Sequence, residues 1–90
     1  MATHLIGYDL NHDKNYDDLT AAIKRLGSWW HHLDSTWIVR SNLTAKQVRD
    51  TLKPYLDADD ELLVVDVSGR ARAWHGFNKR GSDWLHRTWS

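Results

Sequence analysis

Apolar residues along this chain recur in two patterns, one typical of β-strands and the other typical of helices. Four apolar runs predict strands at residues 4–10, 28–33, 36–40 and 62–67, and a short fifth strand is predicted at 72–75. Two stretches with apolar side chains three or four positions apart predict helices at 16–26 and 44–53. The order β-α-β-β-α-β is that of an α+β, ferredoxin-like sandwich with a C-terminal tail.

Local signals mark two helix boundaries. Thr44 and Gln47 have the spacing of a capping box, and Pro54 disfavours a helical residue before it. In the tail, Ser82 is a candidate cap for a short last helix that continues through Trp89. The chain contains no linker or low-complexity segment, so residues 1–90 are predicted to form a single domain.

The strand predicted at 62–67 carries apolar side chains on both of its faces. One layer of helices covers only one face of a sheet. A second copy of the chain is the simplest cover for the other face, and Trp84 and Trp89 are easily buried against such a partner. The alternative is that these two rings fold back on their own domain. We therefore expect a homodimer.

Composition limits the classes of protein that fit. Cysteine is absent, which excludes disulfides and thiolate metal sites. No apolar stretch approaches the roughly 20 residues that cross a membrane, and no basic segment precedes an apolar run at the N-terminus. We expect a cytoplasmic protein that does not associate with membranes.

The net charge of the chain is zero, but the charged residues are unevenly distributed. Residues 1–67 hold seven Lys and Arg against eleven Asp and Glu, whereas residues 68–90 hold five against one. Such a basic tail is compatible with phosphate binding, and it is equally compatible with an edge strand whose charges block unwanted pairing. The candidate nucleic-acid-binding residues are Arg70, Arg72, Lys79 and Arg80.

Asp9 is the first carboxylate after the apolar start of the first strand. It is either a cap of the following turn or a metal ligand on a rigid platform. Mg²⁺ and Mn²⁺ take oxygen ligands, often one or two carboxylates together with substrate phosphates. Two copies of Asp9 across a dimer axis would hold such an ion, which makes Asp9 the candidate catalytic and metal-binding residue.

The segment Trp29-Trp30-His31-His32 places one Trp and one His on each face of a strand. Indole rings at such positions are either anchors of a core or of a dimer interface, or platforms for stacked bases. Neighbouring strand positions do not converge on one ion, so a zinc site is not expected.

Three segments of the chain resemble a known group of proteins: residues 5–11 (Leu-Ile-Gly-Tyr-Asp-Leu-Asn), residues 27–31 (Gly-Ser-Trp-Trp-His) and residues 33–39 (Leu-Asp-Ser-Thr-Trp-Ile-Val). They resemble the SinR-like small proteins, which are similar to the small CRISPR-associated endonuclease subunit (the Cas-two family) and to virulence-associated protein D. The resemblance implies a ferredoxin-like homodimer that acts on RNA or DNA, with the acid at the end of the first strand as metal ligand. That position here is Asp9.

Two functions follow from the residues and the resemblance together. The first is a metal-dependent endoribonuclease or endodeoxyribonuclease that uses Mg²⁺ or Mn²⁺ at Asp9. The second is a non-catalytic dimeric module that binds nucleic acid or another protein, in which role it would bridge other subunits.

Overall fold

The computed structural model of the protein describes residues 1–11 and 16–90. Within these residues the chain forms four strands, three α-helices and one short 3₁₀ turn. The strands are β1 (Ala2–Asp9), β2 (Ser28–Leu33), β3 (Thr36–Ser41) and β4 (Glu61–Asp66). The helices are α1 (Asp17–Lys24), α2 (Ala45–Leu52) and α3 (Lys79–Arg87), and the 3₁₀ turn Lys53–Tyr55 follows α2.

The strands form one antiparallel sheet in the order β2-β3-β1-β4. The central strand β1 places Ile6 between Trp37 of β3 and Val64 of β4. Because side chains alternate along a strand, this register puts three apolar side chains on one face. The predicted α+β class is confirmed, and the four-stranded antiparallel sheet with three helices is compatible with a ferredoxin-like arrangement.

One face of the sheet packs against α1 and α2. The buried side chains at this interface come from the sheet and from both helices: Ile6, Trp37 and Val39 from the sheet, Leu19, Ala22 and Ile23 from α1, and Val48 and Leu52 from α2. In both helices these residues recur three or four positions apart, which is the spacing that brings them to one side. This cluster is the main core of the domain.

The other face of the sheet is partly covered by the chain's own C-terminal segment. Trp30 and Ile38 pack there against Leu85 of α3 and against Trp89, which is only 9% exposed. The alternative, that the C-terminal rings fold back on their own domain, therefore applies here. The expectation that a second copy buries Trp89 is wrong, because residues 67–89 reach back across β2 and β3. Leu63 on β4 stays 61% exposed on the uncovered part.

The predicted fifth strand at 72–75 is also wrong, since these residues form no strand. Arg72 shows the physical reason. Its guanidinium donates hydrogen bonds to the carbonyl oxygens of Leu85, at 2.8 Å, and Trp89, at 3.2 Å. The segment therefore binds the exposed carbonyl end of α3 instead of pairing with a sheet edge.

Helix α3 begins earlier than the sequence predicted. Its cap is Asn78, whose side-chain oxygen accepts from the backbone N–H of Gly81 at 2.9 Å. Ser82 instead lies inside the helix, where its hydroxyl accepts a hydrogen bond from the indole N–H of Trp74 at 3.2 Å. Asn and Ser are about equally good N-cap residues, so the sequence offered two candidates. The helix begins at the earlier one, Asn78.

The capping box predicted at the start of α2 is confirmed. The Thr44 backbone N–H donates to the side chain of Gln47 at 2.9 Å, and the Gln47 N–H donates back to the Thr44 hydroxyl at 3.2 Å. The helix ends at Leu52, two residues before Pro54, as predicted. None of the helices found in residues 1–11 and 16–90 has the length and apolar character needed to cross a membrane.

Candidate nucleic-acid interface and acidic edge

Asp9 is the last residue of β1 and is exposed. Its register partner on β4 is Glu61, so two carboxylates lie directly opposite each other on one face of the sheet. They share a shallow depression of about 410 Å³ with Gly7, Tyr8, Leu62 and Leu63. Facing carboxylates repel each other unless a cation lies between or beside them.

Other side chains bind the described residues on either side of the 12–15 segment. Asp60 accepts hydrogen bonds from the backbone N–H of Asn11, at 2.8 Å, and from the hydroxyl of Tyr16. In the part of the chain that the structure describes, the carboxylate of Asp9 accepts no hydrogen bond. Among the described residues, the backbone N–H of Asn11 is therefore bound by Asp60 and not by Asp9.

His12 and Asp13, two residues close to Asp9 in the sequence, lie outside the described residues. A third, Tyr8, is engaged in the core, because its hydroxyl accepts the indole N–H of Trp37 at 3.0 Å. Across residues 1–11 and 16–90, no group of three or more His, Cys, Asp or Glu side chains is placed to hold a metal ion. One chain offers the carboxylates of Asp9 and Glu61, which are of the type that Mg²⁺ and Mn²⁺ accept.

The four predicted phosphate-binding cations lie in different environments. Arg70 is exposed in the turn after β4. Arg72 is held against α3, with its guanidinium 5.3 Å from the ring centre of Trp89. Its donors are thus committed to the fold.

The other two cations lie in the first turn of α3. The Lys79 ammonium lies 2.8 Å from the Asp83 carboxylate. The hydrogen bond between them lowers the pKa of Asp83 and raises the pKa of Lys79. Arg80 makes no ion pair or side-chain hydrogen bond with any residue that the structure describes. Of the two, Arg80 has the guanidinium available for a ligand.

Arg80 borders a groove between β2 and α3 that we call the aromatic groove. About 440 Å³ in volume, it is lined by Trp29, Trp30, His31, His32, Arg80 and Trp84. Sequence reasoning considered the basic tail and the Trp-Trp-His-His segment separately and missed that they meet. The available signal was the placement of Arg80 and Trp84 four positions apart, which puts them on the same side of a helix.

Close packing of α3 on β2 shapes this groove. A side chain at Gly81 would meet the ring of His32 at 3.2 Å, so the absence of a side chain lets the helix approach the strand. The indole N–H of Trp30 donates to the carbonyl oxygen of Gly81 at 3.1 Å. That of Trp84 donates to the hydroxyl of Ser28 at 2.9 Å. The rings of the floor and of one wall are therefore held in fixed orientations.

At the rim of the aromatic groove, the Trp29 side chain is 41% exposed and lies on the opposite face of β2 from α3, since its register partner is Val39 of the main core. Its ring packs at 5.5 Å from Trp37, and the Lys24 ammonium lies 4.8 Å from its centre. His31 also stacks on Trp37, with ring centres 3.7 Å apart and planes 13° apart. One cation thus lies on each side of the edge strand β2: Lys24 beside Trp29, and Arg80 beside the aromatic groove.

A second cavity of about 360 Å³ lies under residues 71–77 on the same face as α3, and its walls are mostly apolar. It holds Trp74 and Phe77 on one side and Leu5 and Ile38 on the other. Its one arginine is Arg72, whose donors are committed to the backbone of the C-terminal segment. This cavity therefore presents little that would recognise a charged ligand.

Comparisons with known proteins assign this chain to no family. No family model matches the sequence. No solved structure matches the fold. The resemblance to SinR-like and Cas-two proteins therefore stays a prediction.

Proposed function

We propose that this protein is a nucleic-acid-binding module whose binding surface is the aromatic groove. The observation that carries the proposal is the guanidinium of Arg80, which pairs with no residue in the described part of the chain and lies one helical turn from Trp84 in the same groove. Proteins that bind nucleic acid combine cations for the phosphates with aromatic rings for the bases. The groove has both on one edge of the sheet.

The charge distribution supports this location. The segment after residue 67 holds five basic residues and only one acid, and that acid, Asp83, is paired with Lys79. Because the whole chain is neutral, long-range attraction is weak and affinity must come from the groove itself. We therefore expect micromolar or weaker binding at physiological salt.

Fluorescence anisotropy with labelled DNA and RNA oligonucleotides tests the proposal. Affinity is expected to fall as salt rises from about 50 to about 200 mM, because bound phosphates release counterions. Arg80→Ala should weaken binding and lower the salt slope by about one unit. Arg87→Ala removes the same charge from the same helix outside the groove and should weaken binding less. Failure of every oligonucleotide to bind at low salt would exclude the function.

A second candidate is the metal-dependent nuclease, which the opposed carboxylates of Asp9 and Glu61 favour. When bound there, Mg²⁺ or Mn²⁺ supplies an activated water and stabilises the leaving oxygen of a phosphodiester. Asp9 and Glu61 would hold the ion, and a second Asp9 from a partner copy would complete the site. Asp9→Asn and Glu61→Gln should each abolish metal-dependent cleavage of labelled RNA and DNA. Asp34→Asn, in the exposed β2–β3 turn, is the matched control.

A homodimer remains part of the proposal. The uncovered part of the sheet exposes Leu33, Leu63 and Val65, at 49%, 61% and 40%. Exposed apolar side chains of this kind favour association. Sedimentation equilibrium tests it: Leu63→Lys should shift a dimer to monomer, whereas Lys46→Ala on α2 should leave the association constant unchanged. A monomeric wild-type protein at all concentrations would exclude the dimer.

A further inference from the structure

We infer that the protein binds a small, neutral aromatic molecule in the cavity under residues 71–77, which we call the apolar cavity. This cavity of about 360 Å³ lies between the sheet and the C-terminal segment. Its lining comes from three sides, namely the sheet, the 71–77 segment, and α3 with the residues after it. The inference goes beyond the proposed function, because the apolar cavity and the aromatic groove share only Trp30.

Oriented aromatic rings are the first argument. Four large aromatic side chains line the apolar cavity: Trp30, Trp74, Phe77 and Trp89. Phe77 packs edge-on against Trp30, with ring centres 4.9 Å apart. The indole N–H of Trp89 donates to the carbonyl oxygen of Val67 at 3.1 Å. Aromatic rings attract a flat aromatic guest through stacked or edge-to-face contacts, and rings that are already oriented lose little conformational freedom when it binds.

Volume is the second argument. A cavity of about 150 Å³ with an aliphatic and aromatic lining is large enough to bind benzene. At about 360 Å³, the apolar cavity has room for two fused rings and lies in the range of sites that hold small organic ligands. A guest of that size would also supply dispersion contacts to lining atoms that otherwise face a gap.

Charge is the third argument, because the lining disfavours an ion. The guanidinium of Arg72 donates to the carbonyl oxygens of Leu85 and Trp89, so its donors are already used. The other ionisable lining residue, His75, is exposed, and among the described residues no Asp or Glu lines the cavity. An ion moved from water into apolar surroundings without a partner loses its hydration uncompensated. The apolar cavity therefore selects neutral molecules.

Thr36 supplies a polar contact on the sheet side of the apolar cavity. The residue is half-buried, and its hydroxyl makes no hydrogen bond with any residue that the structure describes. A hydroxyl both donates and accepts hydrogen bonds. A guest with two fused rings and one hydroxyl group matches this lining better than the bare hydrocarbon does.

Titration of isotope-labelled protein with naphthol at neutral pH, followed by NMR of the six indole N–H groups, tests the inference. Saturable shifts are expected for Trp30, Trp74 and Trp89, which line the apolar cavity. The signal of Trp29, on the opposite face of β2, should stay in place. Naphthalene sulfonate has the same rings and a charge, and it should bind at least about 10-fold more weakly. Absence of saturable shifts with naphthol, or equal affinity for the sulfonate, overturns the inference.

Two variants locate the guest. Ala73→Phe adds a ring at the cavity lining and should weaken naphthol binding at least about 10-fold, whereas Ala58→Phe, at an exposed alanine outside the cavity, should not change it. Thr36→Val should weaken naphthol binding by about 2- to 10-fold and leave naphthalene binding unchanged. Unchanged naphthol binding in folded Ala73→Phe, as judged by near-UV circular dichroism, contradicts the inference. If that variant does not fold, the wild-type titration decides.

A second copy of the chain is the competing occupant, because Leu33 lines the apolar cavity and is 49% exposed. The control is a dilution series without any added molecule. If the signals of Trp30, Trp74 and Trp89 move with protein concentration, a second copy fills the cavity and the inference is overturned. Signals that stay in place on dilution and move with naphthol support it.

Discussion

The indole N–H of Trp84 donates a hydrogen bond to the hydroxyl of Ser28 over 2.9 Å, across 56 positions of the chain. The bond joins the last helix to the first residue of β2, and it sets the orientation of one wall of the aromatic groove. A helix that covers the second face of its own sheet thus also forms the proposed binding surface. Stability and ligand binding are therefore coupled at this contact.

Removal of the Ser28 hydroxyl should loosen that wall. We expect Ser28→Ala to lower the free energy of unfolding by about 0.5–1.5 kcal/mol, with the smaller value favoured because the bond is solvent-exposed. Urea unfolding followed by tryptophan emission measures it. Ser35→Ala in the β2–β3 turn serves as the control and should be neutral. An identical midpoint for wild type and Ser28→Ala would show that the bond does not hold α3.

The packing of α3 on the sheet is tested by one substitution at two sites. Leu85→Ala removes a side chain that is 3% exposed and should cost about 2–5 kcal/mol. Leu63→Ala removes one that is 61% exposed and should change stability by less than about 0.5 kcal/mol. Chemical unfolding at low protein concentration measures both. Similar small losses at the two sites would mean that α3 does not cover the sheet.

The environment of Arg72 predicts a structural role for this cation. Arg72→Met keeps much of the apolar stem and removes the bonds to the Leu85 and Trp89 carbonyl oxygens, so it should cost about 1.5–3 kcal/mol. Arg70→Met, at an exposed position nearby, should be neutral for stability. Thermal unfolding distinguishes the two. If Arg72→Met leaves stability unchanged but weakens oligonucleotide binding, Arg72 is instead a phosphate ligand.

The hydrogen bonds from Ser68 to the Asp66 carboxylate, at the end of β4, should be sensitive to acid. Hydrogen bonds from the Ser68 hydroxyl and backbone N–H lower the pKa of Asp66. The folded pKa lies below the unfolded one, so this stabilisation is present above the unfolded pKa and is lost as pH falls through the folded pKa. Ser68→Ala keeps only the N–H bond and should raise the pKa of Asp66 toward its ordinary value. An NMR titration of the Asp66 carboxyl carbon measures the change, and an unmoved titration would contradict it.

Two glycines should respond in opposite directions to alanine. At Gly27 the backbone has φ of +157°, and an added Cβ would collide with the carbonyl oxygen of Arg40 on β3. Since that neighbour is backbone, Gly27→Ala should destabilise the fold by at least about 1–3 kcal/mol. At Gly7 nothing lies within 4 Å, so Gly7→Ala should be neutral or stabilise by up to about 1 kcal/mol. Equal effects in urea unfolding would contradict the close approach of β2 and β3.

Local patterns were enough to predict most of the secondary structure. Three of these signals each lie within a few residues of the chain. They are the capping box of Thr44 and Gln47, the stop before Pro54, and the alternation of Trp37 and Ile38 between faces. Such signals can be recognised in the sequence because helix capping and the alternation of side chains along a strand involve only residues that are close together in the chain. The acid at the end of β1 was also visible, but its partner Glu61 was not, because strand register is set by pairing.

The sequence by itself determined the α+β class, the order of the four strands along the chain, and the presence of a basic, tryptophan-rich tail. Only the tertiary structure decided where that tail goes. Trp89 is buried on the chain's own sheet, Arg72 binds α3, and Arg80 lies with Trp84 in the groove between β2 and α3. These positions depend on how much apolar surface the tail buries when it packs on the sheet. The contacts that hold it there join residues more than 50 positions apart, so local sequence patterns do not reveal them.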